Sequence, residues 1–249
     1  FHTRLRRSVA IPYSDIFEGK NINFIQAEIE TVDLQEQKVT TKGTHTLLYD
    51  YLVLALGSQS ADFGIPGVKE YAFQFRTLND ALLINRKLKE ELNQKIREKR
   101  STPVKVLIGG AGFTGIELAA ELASFVHRLE KKISVPGKGA LVYLFEAGDS
   151  ILPMVQPNQR QLIRKRLTRL GIAILERSHI VKIEEGRIML QDGRVIEGDM
   201  VIWTAGLKAN TFLQSVKELG LTSDGKIITG EHLHLSNHKN VFAAGDNIQ

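Results

Sequence analysis

The segment Val104 to Phe125, VKVLIGGAGFTGIELAAELASF, constrains the fold of this chain more than any other. A short apolar run gives way to glycines and then to good helix formers. Gly110, Gly112 and Gly115 stand in the spacing G-x-G-x-x-G, with Phe113 and Thr114 between the second and third. That spacing is weak alone, but a preceding strand and a following helix make it specific. The first glycine permits a tight turn, the second lets the backbone approach a pyrophosphate, and the third lets helix and sheet pack closely. The helix then opens with unpaired N–H groups and the positive end of its dipole, both suited to phosphate. Gly110, Gly112, Phe113, Thr114 and Gly115 are therefore expected to bind a dinucleotide.

An internal echo adds a second constraint. Tyr49 to Ser58 reads YDYLVLALGS, and Gly198 to Leu207 reads GDMVIWTAGL. The glycines Gly57 and Gly206 are 206 minus 57, or 149, positions apart. Without a gap, that offset carries Ile25 onto Ile174, Val32 onto Val181, Leu34 onto Ile183 and Glu36 onto Glu185. It also carries Val39 onto Ile188, Asp50 onto Asp199 and Val53 onto Ile202. The shared grammar is a strand, an antiparallel meander, and a buried strand ending in glycine. Glu185-Gly186 and Asp192-Gly193 are hairpin signals in the second copy. Two related domains are expected, and two copies are too few for a solenoid. The same offset puts a first-copy glycine fingerprint near 110 minus 149, about −39, before Phe1. The chain is thus expected to begin inside its first nucleotide-binding domain. That domain should have an incomplete sheet, with an open edge that invites pairing with a second chain.

A strand-end acid refines the ligand. LVYLFEAG, Leu141 to Gly148, ends its apolar run in Glu146. The spacing from Gly110 exceeds the usual one of about 20; a long first helix and the linker Lys131 to Gly139 account for the excess. A carboxylate there accepts hydrogen bonds from a ribose diol and repels a 2′-phosphate, which favours NAD over NADP. No arginine follows Glu146 directly, although Arg160 lies further on.

Composition removes several chemistries. With no cysteine, disulfides, thiolate metal sites and a redox-active CxxC pair are excluded. No apolar run is long enough to span a bilayer and no signal peptide is evident, so a soluble or peripheral protein is expected. The formal charge of +5 is concentrated in Asn85 to Arg100 and Gln159 to Arg169. Both read as amphipathic helices with solvated basic faces; attraction to an acidic membrane surface or a nucleotide is the lesser reading. No nucleic-acid module is present, so no nucleic-acid partner is expected. His232, His234 and His238 cluster without a carboxylate or cysteine to complete a ligand set, so no metal site is assigned. Trp203 is expected in the core.

The motifs now in view resemble the two-dinucleotide-domain flavoproteins of the pyridine nucleotide-disulfide oxidoreductase superfamily. Leu54-Ala55-Leu56-Gly57 looks like the strand end that touches FAD, with Leu56 where that motif has Thr. Trp203-Thr204-Ala205-Gly206 looks like its counterpart in the NAD domain. NVFAAGDNIQ, Asn240 to Gln249, resembles the second FAD motif, in which Asp246 matches the flavin-binding aspartate and Gly245 supplies the bend. GIPGVKEYAFQFRTLNDALLINRKL and IGGAGFTGIELAAEL are most similar to type II NADH dehydrogenases. The lack of cysteine sets aside the disulfide-reductase branch.

The resemblance implies an α/β fold with two Rossmann-like FAD- and NAD(P)-binding domains, parallel sheets carrying antiparallel β-meanders, and an incomplete FAD domain. It assigns residues 1–100 and 221–249 to the FAD domain and 101–220 to the NAD domain, with the meander near 178–196. It implies hydride transfer from NADH to FAD and then two electrons to a quinone or another small electron acceptor. Ala55, Gly57, Gly245 and Asp246 would bind FAD; Glu146, Ala205 and Gly206 would bind NAD(H). Glu117, placed in the first helical turn, is the candidate catalytic residue near the nicotinamide–flavin contact; the alternative is an acid favoured by the helix dipole. Glu121, one turn on, is expected to be structural. The quinone-site segment and membrane-binding region are expected to lie beyond Gln249; a cytoplasmic location is expected, with peripheral association of the complete protein at the inner face of the cell membrane as the further reading. The competing reading is an isolated NAD(H)-binding module without flavin and without turnover.

Overall fold

A computed structural model describes residues 10–43, 45–131 and 139–249 of the chain, so most of the linker Lys131 to Gly139 lies outside the described residues. The chain divides into two compact units, 1–59 with 208–249, and 60–207.

The second unit is built on a parallel sheet whose strands are β6 (Phe73–Gln74), β7 (Val104–Gly109), β8 (Ala140–Phe145), β9 (Ala173–Leu175) and β13 (Met200–Trp203), in the order β6-β13-β7-β8-β9. Side chains alternate between its two faces. Val104, Val106, Ile108, Val142, Leu144, Met200 and Ile202 pack into one core with three helices. These are α3 (Leu78–Arg97), α4 (Phe113–Glu130) and α5 (Pro157–Arg169). Leu107, Phe145, Val201 and Trp203 face the other way. They pack against a meander of β10 (Ile180–Glu184), β11 (Arg187–Leu190) and β12 (Val195–Glu197) and the short helix α2 (Val68–Tyr71). Coverage of both faces explains why VLIG, after Lys105, and MVIW read as continuous apolar runs.

The first unit holds a second meander of β1 (Ile29–Asp33), β2 (Lys38–Thr41) and β3 (Thr46–Leu48). It also holds a parallel pair, β4 (Leu52–Leu54) with β15 (Val241–Ala243). Its core joins Val32, Val39, Leu54, Val241 and Ala243 to Leu213 and Ile227. The short helix α1 (Tyr13–Phe17) contributes no buried residue to it. The strands β5 (Ser58–Ser60) and β14 (Leu207–Ala209) carry the chain across the unit boundaries.

The units divide after residue 59 and after residue 207. Residues 60–100 belong with the second unit because β6 pairs with β13 and α3 buries Ile84, Leu88 and Leu92 in the helix-side core. Residues 208–220 belong with the first because Ala209, Leu213 and Val216 fill its core.

The internal echo is real but not gapless. β2, β3, β4 and β5 lie 149 residues before matching parts of β11, β12, β13 and β14. The leading strands do not follow that offset. Val32 pairs with Val39, and Ile183 pairs with Ile188, so Val32 corresponds to Ile183 rather than Val181. The cause is turn length. Four residues, Leu34 to Gln37, join β1 to β2, whereas only Glu185-Gly186 joins β10 to β11. Both leading strands carry a register shift at equivalent places, Ile29/Thr31 and Ile180/Lys182. Ile25 is a further departure: it lies outside any strand, whereas Ile174 is in β9, hydrogen-bonded beside Leu144 of β8. A strand needs such a neighbour, and among the described residues none flanks Ile25.

Helix α3 starts with a capping box. Thr77 Oγ1 accepts from Asp80 N at 3.2 Å, and Asp80 Oδ2 accepts from Thr77 N at 2.7 Å. Its basic face is not wholly solvated as expected. Lys95 is buried, and its Nζ donates to Arg100 O at 2.6 Å and Thr102 O at 2.8 Å. Burial, reinforced by the nearby Arg100 guanidinium, holds the Lys95 pKa below the usual lysine value. This cation fixes the path of the chain from α3 into β7. Replacing Lys95 by Met keeps the apolar stem but strands two carbonyls, so it should cost about 1–3 kcal/mol. The exposed Arg86→Met change should stay within about 0.5 kcal/mol; urea unfolding measures both.

Candidate functional site

The G-x-G-x-x-G turn joins the carboxyl end of β7 to α4, and each glycine has a distinct reason. Gly110 has φ 107°, and a Cβ there would lie 2.7 Å from Ala205 N and 2.8 Å from Ala205 Cα. A Cβ on Gly115 would overlap the Gly110 carbonyl oxygen and lie 2.7 Å from Thr204 Oγ1. Gly112 differs: a Cβ there would meet no protein atom within 4 Å. It is the extended N-cap of α4, and the space above it is open. The first helical bond runs from Ile116 N to Gly112 O at 3.0 Å. The N–H groups of Phe113, Thr114 and Gly115 therefore have no partner within the helix.

Neighbouring strand ends brace this turn. Gly110 N donates to Phe145 O at 2.9 Å, and Thr204 N donates to Gly109 O at 2.9 Å. The Thr204 hydroxyl lies 3.1 Å from Gly109 O and 3.0 Å from Gly110 O. On the β8 side, Glu146 is half-buried directly beyond the strand. Its Oε1 accepts from Gly148 N at 2.8 Å and its Oε2 from Ala111 N at 3.3 Å. The carboxylate therefore sits against the glycine turn.

Gly110, Gly112, Glu146, Ala205 and Gly206 line one cleft of about 480 Å³. Strand order sets its layout: β7 lies between β8 and β13, so Glu146 and the Thr204–Gly206 segment flank the turn on opposite sides. A larger hollow of about 1050 Å³ lies near the amino ends of β7 and β13. Its charges are largely matched, with Lys182 2.6 Å from Glu184 and Arg100 3.5 Å from Asp199. In open α/β sheets ligands bind beyond the carboxyl ends of the strands, which selects the smaller cleft.

Not every expected residue lines it. Gly115 is buried under the turn, and Phe113 and Thr114 are exposed on the first turn of α4 beside the cleft. Glu117 is the fifth residue of α4 rather than a first-turn acid, because Gly112 is extended and the helix starts at Phe113. It is exposed, does not line the cleft, and has no hydrogen bond or ion pair among the described residues. Glu121 pairs with Arg128 at 2.7 Å. Arg160 is committed elsewhere, donating to Ser150 Oγ at 2.6 Å and Val155 O at 3.0 Å. Phe63 and His179 also line the cleft. Neither carries a sequence signal, since each comes from a loop with no periodicity. Thr204 was visible within the quoted WTAG segment, but its grip on the turn was not.

In the first unit, β4 and β15 run parallel and each leads into a left-handed glycine, Gly57 at φ 65° and Gly245 at φ 88°. Ala55 and Asp246 are exposed beside them, and Ser58 Oγ donates to Asp246 Oδ2 at 2.9 Å. Asn247 is fully buried; its Nδ2 donates to Leu54 O at 3.0 Å, while its Oδ1 has no partner. Among the described residues no group of three His, Cys, Asp or Glu is placed to hold a metal ion. His238 Nε2 instead lies 3.3 Å from Glu218.

The family model for pyridine nucleotide-disulphide oxidoreductases matches residues 6–249. The chain belongs to this family. Among its curated members, the chain is 32% identical over 248 residues to the demethylphylloquinone reductase of a Synechocystis species, covering 97% of this chain and 57% of that protein. It is 30% identical over 247 residues to a type II NADH:quinone oxidoreductase of Staphylococcus haemolyticus, covering 94% and 59%. The chain thus spans less than two thirds of these relatives. A solved NDH2 from Plasmodium falciparum in complex with NADH superposes with a TM-score of 0.84 at 22% identity, covering 91% of this chain and 50% of that one. A ferredoxin reductase from Rhodopseudomonas palustris superposes at 0.78 and 20% identity, covering 96% and 54%. These two likenesses establish the shared oxidoreductase fold.

The three glycines should separate by stability. Gly110→Ala and Gly115→Ala create backbone clashes and should each cost more than about 2 kcal/mol in urea unfolding. Gly112→Ala should stay within about 1 kcal/mol of the parent.

Proposed function

We propose that this chain carries the nucleotide-binding machinery of an FAD-dependent NADH:quinone oxidoreductase of the type II NADH dehydrogenase kind. The carrying observation is the open space over Gly112, between the free N–H groups of α4 and the Glu146 carboxylate. The relatives named as NADH:quinone oxidoreductase and demethylphylloquinone reductase support the same reaction class.

In this reading the pyrophosphate of NADH sits over Gly110–Gly112, facing the N–H groups of residues 113–115 and the helix dipole. Glu146 accepts hydrogen bonds from the ribose diol and repels a 2′-phosphate. Thr204 keeps the turn rigid, so little ordering cost falls on binding. Gly206 closes the far side of the cleft and leaves room for the nicotinamide half. The domain roles follow, with NAD(H) held by the second unit and FAD by the first.

The first-unit residues fit a flavin nucleotide in part. Two glycine-ended parallel strands and an exposed Asp246, whose carboxylate can accept from ribityl hydroxyls, suit the sugar-alcohol part of that nucleotide. FAD, when bound, supplies the redox chemistry between NADH and quinone. Glu117, solvent-exposed and unpaired, is the protein group available to exchange a proton with water near the helix start. A lipid-soluble quinone would draw the protein to a membrane face; no described helix is long and apolar enough to cross a membrane. Among the described residues β4 has a strand partner only on its β15 side, and this free edge favours association with a second copy, which light scattering at rising concentration would detect.

The deciding experiment is the visible absorption spectrum of the purified chain, before and after anaerobic NADH. A flavin band that bleaches supports the proposal. A flavin-free chain that still binds NADH would restrict it to a nucleotide-binding module. Gly112→Ala should weaken NADH binding at least about 10-fold with the fold intact, because its methyl group occupies the phosphate's place. Glu146→Gln should lower the preference for NADH over NADPH by about 10-fold or more in a competition titration.

A further inference from the structure

Residues 62–65 form a turn whose chemistry is only half explained. Ile65 N donates to Asp62 O at 2.9 Å, and Asp62 Oδ1 accepts from Gly64 N at 3.2 Å. The two central residues, Phe63 at φ 51° and Gly64 at φ 70°, both lie in the left-handed region, as a type I′ turn requires. Glycine meets that demand at position 64. Position 63 favours Asn or Asp, and a bulky aromatic there is strained. Burial does not compensate, since Phe63 is 67% exposed.

The turn is nevertheless firmly anchored at the cleft. Trp203 Nε1 donates to Ala61 O at 2.7 Å, and Ala61 N donates to Gly206 O at 3.2 Å. A Cβ on Gly206 would overlap the Phe63 ring, so the ring lies directly against that glycine. Phe63 thus borders the cleft on its β13 side, across the glycine turn from Glu146. A dinucleotide with its phosphates at the turn and its ribose diol at Glu146 must lay its other half along Gly206 and Phe63.

We propose that Phe63 is a positioning residue: its ring forms the wall against which the nicotinamide half of the dinucleotide packs. This rests on the reading of the cleft as an NADH site. An exposed aromatic in a strained turn is explained if a flat ring stacks on it when the cleft fills.

The test uses Phe63→Asn, which suits the turn, and Phe63→Leu, which keeps an apolar side chain without the ring. The probes are NADH and ADP-ribose, which lacks the nicotinamide. Trp203, the chain's single tryptophan, lines the cleft and reports binding by quenching. Phe63→Asn should raise the melting temperature by a few degrees while weakening NADH about 10-fold and leaving ADP-ribose within about twofold. Phe63→Leu should weaken NADH selectively without the gain in stability. The inference is overturned if both ligands weaken alike, or if NADH binding is unchanged in both variants. If the parent chain binds neither ligand, the NADH reading of the cleft falls and this inference falls with it.

Discussion

The close approach at Gly115 is the contact on which the second unit depends. The α-carbon of a helical residue is pressed against the carbonyl of Gly110 and the hydroxyl of Thr204, with no room for a methyl group. That contact sets how near α4 comes to the carboxyl edge of the sheet. It therefore sets where the free N–H groups of residues 113–115 point. Thr204 arrives from β13, nearly a hundred residues along the chain, and ties the same turn through Gly109 and Gly110. The geometry of the turn proposed to receive phosphate is thus a consequence of helix–sheet packing.

The sheet above which this turn sits is covered twice, by helices on one face and by the meander on the other. Double coverage makes β13, and β7 beyond Lys105, continuously apolar and leaves their carboxyl ends open. The order β6-β13-β7-β8-β9 then places an acid on one side of the turn and a small-residue segment on the other. One end of the cleft carries the Glu146 carboxylate; the other is bordered by Gly206 and the Phe63 ring. A ligand with one sugar-rich end and one flat, weakly polar end meets both demands.

The two meanders show how duplicated units diverge under these constraints. Each keeps its bulge and its inward residues, Val32 and Val39 in one, Ile183 and Ile188 in the other. The hairpin turn is free to change, from four residues to the two of Glu185-Gly186, because turns face solvent. Such a change is invisible to an ungapped offset, which kept the later strands in phase and shifted the first by two residues.

The glycine spacing, the duplication, the apolar strands and the acid after β8 were legible in the sequence because each rests on local chemistry: a turn's φ, a strand's period, a strand-end carboxylate. Residue identity alone likewise ruled out thiol chemistry. Tertiary structure decided what local chemistry cannot. Segment 60–100 joined the second unit because β6 and α3 found partners in β13 and β7. Lys95 turned inward because two carbonyls of the following loop lay within its reach. Glu117, the fifth residue of α4, does not line the cleft, and Phe63 came to the cleft because Trp203 and Gly206 hold Ala61 across a long sequence separation. The sequence determined which elements form and what ligand chemistry they suit; contacts between distant segments decided which side chains border the cleft, since only packing brings those positions together.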